Sequence, residues 1–277
     1  MNIAECVRVA QAASRSYRQV ICEFCGAETL TGGGVVFCSS CESIVGSEAK
    51  ELESANPSLF SSLSSIRTSL QRGDYEGASA IYDQLMKDRQ SAQLLYAKGI
   101  MYIEYSNQAV SQIRYDGEGF MERNTQLRVK GSLLISEAKR LIAKSLSISE
   151  KESKEAPNVY TFYRMFLCEL KMRDLRAAND YVNKIAAIDK DGVVSAYSKI
   201  VLHTYAESYK EAEKGIEKVV RMKSPPANVF YYASFAAFKM GDYKGVERLV
   251  KASGGLIEED KKANMLNVLK DVESLQE

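Results

Sequence analysis

A 34-residue period organises the sequence from residue 159 to 256. Apolar and small residues return at the same points of three successive units, and within each unit they fall at helical steps of three and four. The recurring positions are Tyr163, Tyr197 and Tyr231; Leu167, Val201 and Phe235; Leu175, Tyr209 and Tyr243; Ala178, Ala212 and Val246; and Val182, Ile216 and Val250. Each unit holds two such runs separated by a turn, which predicts helix–turn–helix repeats. The turns are predicted at Arg173-Asp174, Glu207-Ser208 and Gly241-Asp242.

The second half of each unit resembles the tetratricopeptide family, whose signature has an aromatic residue, then Ala three residues on, then a large apolar residue four further. Asp242-Tyr243 and Asp174-Leu175 match the turn of that family. The first helices depart from it, because they lack its Trp and replace its Gly with Met165, Ile200 or Ser234. The resemblance implies a mainly α fold, a solenoid of helical hairpins, with a concave face that binds a protein or peptide.

In the resembling family the first helix of each repeat lines the concave face. The resemblance therefore implies that six residues contact a partner: Tyr163, Leu167, Tyr197, Val201, Tyr231 and Phe235. Tyrosines suit this role because they supply a large rigid contact area with a polar end. The alternative is that these rings pack between repeats, which would move the partner surface, first of all, to a long helical hairpin over residues 92–149.

Two CxxC pairs stand near the N-terminus, Cys22 with Cys25 and Cys38 with Cys41. Two residues between cysteines let one tight turn aim both sulfurs at one ion, so the four thiolates predict a tetrahedral zinc site. Because all four ligands are protein thiolates, one structural Zn²⁺ is expected. The pattern resembles the short zinc ribbons of many microbial proteins. Disulfides or a thioredoxin-type redox pair are disfavoured, since the sequence shows neither a secretory signal nor a βαβ pattern.

The segment between the two pairs predicts a small hairpin. Residues 29–31 and 35–37 have strand composition, and they flank the glycine run 32–34. Glycine supports the left-handed backbone that tight turns use, so the run is predicted to be the turn. Gly26 is expected to serve the first knuckle in the same way. Glu42 occupies the position where many such ribbons have a second Gly, which predicts a less regular second knuckle.

Apart from one linker, the remaining sequence predicts helices. The predicted organisation is an amphipathic helix over 1–20, the ribbon over 21–45, a linker over 46–56 and a repeat domain over 57–277. Within the repeat domain we expect a first repeat at 57–90, a long helical hairpin at 91–150, three phased repeats at 158–256 and a capping helix at 257–277. The long hairpin is predicted as helices 92–113 and 120–149, with a turn at 116–119.

Charge and motif content narrow the function. The 37 basic and 36 acidic residues nearly cancel, and residues 26–42 contain no Lys or Arg. Contacts between basic side chains and phosphates dominate the affinity of proteins for nucleic acids. The lack of such side chains therefore disfavours nucleic-acid binding through the ribbon, which is the second hypothesis for the function. No apolar run could span a membrane, and the N-terminus is unlike a signal peptide, so a cytoplasmic protein is expected. His203 and Cys168 suggest structural roles, and without a nucleophile elbow or phosphate loop the expectation is a non-enzymatic adaptor.

Overall fold

The computed structural model describes residues 1–45, 56–88, 91–113, 120–190, 192–257 and 259–274. These ranges hold twelve α-helices, four short strands and a 3₁₀ turn at Gly254–Leu256. In chain order the elements are α1 (Ile3–Ala13), β1 (Arg18–Ile21), β2 (Glu28–Thr31), β3 (Val36–Phe37), β4 (Ile44–Val45), α2 (Pro57–Gln71), α3 (Tyr75–Asp88), α4 (Ala92–Ser111), α5 (Phe120–Glu155), α6 (Val159–Met172), α7 (Leu175–Ile188), α8 (Val193–Tyr205), α9 (Tyr209–Val220), α10 (Asn228–Lys239), α11 (Tyr243–Ala252) and α12 (Glu259–Ser274). The predicted class, mainly α with a small N-terminal β-hairpin region, is confirmed.

Some predicted segments lie outside the described residues. They are positions 46–55 of the predicted linker and the predicted hairpin turn at 116–119. The two long helices on either side of that turn are confirmed, as α4 and α5. Among the helices of the described ranges, none is both long enough and apolar enough to cross a bilayer.

The four strands form two separate antiparallel pairs, β1 with β2 and β3 with β4. The predicted pairing of 29–31 with 35–37 across the glycine run is therefore wrong. The reason is that each CxxC knuckle is itself the reversing turn. The Cys22 N–H donates to the Ala27 carbonyl at 2.9 Å, and the Cys38 N–H donates to the Ser43 carbonyl at 2.8 Å. The glycine run instead links one hairpin to the next.

The chain divides into two compact units. The terminal unit consists of Met1–Cys22, Ala27–Ala49 and Leu175–Glu277, so it includes α1, the four strands and α7–α12. The central unit consists of Glu23–Gly26 and Lys50–Asp174, and it contains α2–α6.

In the central unit, small polar side chains bridge the long helices. Ser145 Oγ donates to the Ala92 carbonyl at 2.7 Å, and Ser106 Oγ donates to the Gly131 carbonyl at 3.0 Å. Hydroxyls of this size reach a backbone carbonyl only when two helices lie close together. The α4–α5 pair is therefore tightly packed over much of its length.

The helix pairs of the C-terminal sequence keep the predicted spacing. Helices α7, α9 and α11 begin at Leu175, Tyr209 and Tyr243, which are 34 residues apart. The residues before these helices include a left-handed backbone at each turn: Arg173 (φ 70°), Glu207 (φ 57°) and Gly241 (φ 82°). The three turn positions predicted from sequence are confirmed as helix boundaries.

Helix α1 packs within the core of the terminal unit. Its buried Ile3 belongs to one apolar cluster with Ala237 of α10, Val246 and Val250 of α11, and Leu269 of α12. An exposed ion pair between Glu5 and Arg221 adds a polar contact at 3.2 Å. The predicted helix therefore exists, but it ends at Ala13, and Tyr17 beyond it donates a hydrogen bond to the Pro225 carbonyl.

Candidate metal centre

The four predicted ligands, Cys22, Cys25, Cys38 and Cys41, come together in the structure. All four are buried, and their Sγ atoms lie within 4.8 Å of one another. The two cysteines of each pair are held by one knuckle, and each knuckle closes a short hairpin. The predicted assembly of these side chains into one cluster is confirmed.

The spacing of the sulfurs fits a single metal ion. A tetrahedral Zn–S distance of ~2.3 Å places the sulfurs ~3.8 Å apart, and Cys22 Sγ lies 3.7 Å from Cys41 Sγ. A disulfide would need a separation of ~2 Å, and no disulfide joins any of these four cysteines in the structure. The arrangement is thus compatible with one ion bound by four sulfurs, a set that leaves no open coordination position.

The two knuckles share a backbone conformation. The residue after the second cysteine is left-handed in both, with φ 72° at Gly26 and φ 62° at Glu42. In the second knuckle the backbone N–H groups of Ser40 and Cys41 donate to Cys38 Sγ, at 3.4 and 3.5 Å. The expectation of a less regular second knuckle is therefore wrong. The turn imposes its conformation on Glu42 in place of a glycine.

The second knuckle is bonded to helices of the terminal unit through its backbone carbonyls. Asn228 Nδ2, at the start of α10, donates to the Cys38 carbonyl at 3.1 Å. Lys261 Nζ, from α12, donates to the Ser39 carbonyl at 2.6 Å. Both acceptors belong to the turn that aims Cys38 and Cys41, so the geometry of the cluster and the position of these helices are linked.

Side chains next to the knuckle make further contacts with the same helices. The Phe37 ring stacks on Tyr197 of α8, with centroids 3.9 Å apart and planes inclined by 19°. The Tyr232 hydroxyl donates to the Glu42 carboxylate. Burial and the nearby Glu42 charge raise the pKa of Tyr232 well above its ordinary value, so the phenol keeps the proton that it donates.

Asn228, Tyr232 and Lys261 were not predicted as site residues. They lie about 190 to 220 positions from the knuckle that they contact, and no spacing in the sequence connects residues so far apart. A buried Asn at a helix start and a Tyr beside an acidic residue are also common without any metal nearby.

The remaining cysteines of the described ranges are separate from the cluster. Cys6 in α1 and Cys168 in α6 are buried. Burial raises the pKa of the Cys6 thiol to about 11 and that of Cys168 to about 12, so both stay protonated at neutral pH. Cys168 lies in the core as predicted.

The six predicted partner-binding residues have different surroundings. Four of them are buried: Tyr163, Leu167, Tyr197 and Val201. Their burial favours the alternative in which the rings pack within the fold. Tyr231 and Phe235 are half-buried and stack on each other with centroids 6.2 Å apart. Partner binding stays a prediction, and within this set these two residues have side-chain surface to support it.

Tyr231 and Phe235 border an apolar groove of about 210 Å³ in the terminal unit. The residues that line it come from α10 and α12: Tyr231, Phe235, Phe238, Lys261, Asn264, Met265 and Val268. Val268 is 43 % exposed. The Lys261 ammonium lies 5.0 Å from the Tyr231 ring centroid, and the Lys239 ammonium lies 5.5 Å from that of Phe235. The groove thus has an aromatic floor with two cations at its edge.

Comparison with known proteins identifies no related family or protein. A scan against protein-family models finds no match, and a search of curated proteins finds none either.

Proposed function

We propose that this protein is a non-enzymatic, zinc-containing adaptor that holds a partner protein or peptide in the groove between α10 and α12. The observation that supports it is the groove itself, an apolar recess bordered by Tyr231 and Phe235. Aromatic side chains that are partly exposed and already ordered by packing supply binding energy at little entropic cost. Of the six residues predicted to contact a partner, this proposal keeps only Tyr231 and Phe235.

Zinc is the metal that this donor set suits best. Four thiolates on two tight turns favour a tetrahedral ion, and zinc accepts that geometry without redox chemistry. The ion would supply stability to a ribbon whose strands are two to four residues long, because so small a module cannot bury a core of its own. The four cysteines would hold it, and no substrate would reach it.

We expect one zinc per chain in protein purified without added metal, because the four sulfurs already lie within 4.8 Å of one another. Elemental analysis against protein concentration measures the ratio. After chelation, mild alkylation of the folded protein should modify the four cluster cysteines faster than Cys6 and Cys168, whose raised pKa values keep them protonated. A zinc ratio near zero, or equal labelling of all the cysteines, would contradict the proposed site.

Removal of an aromatic ring from the groove should weaken partner binding. We expect Phe235→Ala to reduce affinity by ~1 to 3 kcal/mol, the usual range for an aromatic residue near the centre of an interface. Its stability should change less than for a core residue, since the ring is only half-buried. The probe is a phage-displayed library of random peptides selected on the zinc-loaded protein, followed by titration of the selected peptides.

The matched control is Leu133→Ala, which shortens an apolar side chain that is 66 % exposed on α5. Peptides selected on the native protein should bind this variant normally. If Leu133→Ala abolishes binding and Phe235→Ala does not, the partner surface lies on the long hairpin and the groove proposal is wrong.

A further inference from the structure

Lys261 connects the proposed binding groove with the metal centre. Its ammonium group donates to the Ser39 carbonyl, in the turn between Cys38 and Cys41, and also lies over the Tyr231 ring that forms the groove floor. One side chain therefore contacts both sites. Any change in the position of the knuckle backbone alters where this cation is held.

Helix α12 packs on the core of the terminal unit through three apolar residues. Among its residues whose side chains are described, Leu269 is the one buried apolar residue, while Met265 and Leu266 are only partly covered. Helix α12 forms one wall of the groove. The hydrogen bond from Lys261 to the knuckle adds to the contacts that keep that wall in place.

The knuckle is held by its hydrogen bonds to α10 and α12 and, when an ion is bound, by the link between its sulfurs. Strands β3 and β4 contain two residues each, and so short a pair is not stable by itself. When no ion joins the four sulfurs, the turn between Cys38 and Cys41 loses that constraint. The Ser39 carbonyl then no longer fixes Lys261.

The charges at the groove indicate what kind of ligand fits. None of the lining residues is acidic, and Lys261 and Lys239 both stand above its aromatic floor. The Lys261 and Lys239 ammonium groups are positively charged, so they attract a carboxylate placed beside this floor. A peptide with a large apolar side chain next to Asp or Glu would satisfy both the floor and the edge.

We propose that the groove is a metal-dependent docking site for an apolar, acidic peptide segment of a partner protein. This inference rests on the proposed function and adds to it the chemistry of the partner and the control by metal. The zinc-bound knuckle orders Lys261 and α12, the ordered groove accepts the peptide, and loss of the ion disorders the site.

The test uses the full chain in its zinc-loaded form. Peptides selected from the random library should be enriched in Asp or Glu beside a large apolar residue. Chelation of zinc should lower the affinity for a labelled selected peptide by about tenfold or more. Addition of zinc should restore that affinity. Lys261→Gln should keep its zinc and still lose affinity by about threefold to tenfold. Lys270→Gln, on the same helix but outside the groove lining, should bind as the native protein does.

Hydrogen exchange measures the coupling between the metal centre and helices α10 and α12 without any peptide. Chelation should speed amide exchange in α10 and α12, with α4 and α5 unchanged as an internal reference. Selected peptides without acidic residues would overturn the partner chemistry. Unchanged peptide binding and unchanged exchange after chelation would overturn the control by metal. If the library yields no binder while exchange still responds, the proposed function and the docking site fall together, and the coupling between metal and helices stands.

Discussion

Tyr197→Ala should be among the most destabilising single substitutions in the terminal unit, with a loss of ~3 to 5 kcal/mol in the free energy of unfolding. Tyr197 is fully buried, stacks on Phe37 and meets the Tyr232 ring edge-on with centroids 5.7 Å apart. Truncation removes a large apolar area and leaves a cavity between α8 and the strand that carries Phe37. Urea or thermal unfolding, followed by circular dichroism, measures the loss.

Two controls make this result specific. Tyr160→Ala removes the same side chain from a position that is 54 % exposed, so its stability should stay within ~0.5 kcal/mol of the native protein. Tyr197→Phe keeps the stacked ring and should retain most of the stability. A native-like unfolding curve for Tyr197→Ala would mean that the ring is not buried against Phe37. Tyr197 would then again be a candidate for contact with a partner.

Gly26→Ala should disrupt the first knuckle by two separate effects. The left-handed backbone (φ 72°) costs a residue with a Cβ about 1 to 2 kcal/mol. An added Cβ would also lie 2.5 Å from the Leu63 carbonyl oxygen, too close for any real contact. Relief of that overlap must move backbone, and comparable overpacking costs ~1 to 3 kcal/mol. We expect a loss of ~2 to 5 kcal/mol in all, measured by urea unfolding, together with weaker zinc retention during chelator competition.

The matched control is Gly33→Ala. Gly33 also has a left-handed backbone (φ 95°), but a Cβ there meets no atom within 4 Å. Its cost should therefore be limited to the backbone term of about 1 to 2 kcal/mol, with zinc retention unchanged. Equal effects of the two substitutions would show that the approach of Gly26 to Leu63 does not constrain the knuckle.

The contacts of the second knuckle also change what metal loss is expected to do. If the ribbon made no contact with the helices, Cys38→Ser would unfold only the ribbon and leave the helical signal nearly unchanged. In the structure the Cys38 and Ser39 carbonyls accept hydrogen bonds from α10 and α12. A substitution that disorders this turn should therefore also destabilise α10 and α12. Faster amide hydrogen exchange in these two helices would detect the effect.

Local patterns in the sequence by themselves determined much of this protein. The CxxC spacing identified the four sulfurs, because two intervening residues make one tight turn whatever surrounds it. The helical steps and the 34-residue period identified the helix pairs and their turns, because a helix must present one apolar face to its neighbours.

Strand pairing and surface exposure were decided by the tertiary structure. The segment 29–31 could pair with the strand before it or after it, and the closing bonds of the knuckles chose the strand before. Tyr197 and Tyr231 occupy the same place in the sequence period, but Phe37 covers the first ring while the second borders the groove. The period records which face of a helix is apolar, and it does not record which distant segment covers that face. Only the folded chain, which brings the N-terminal strands onto α8 and α10, determines which aromatic residues remain available to a partner.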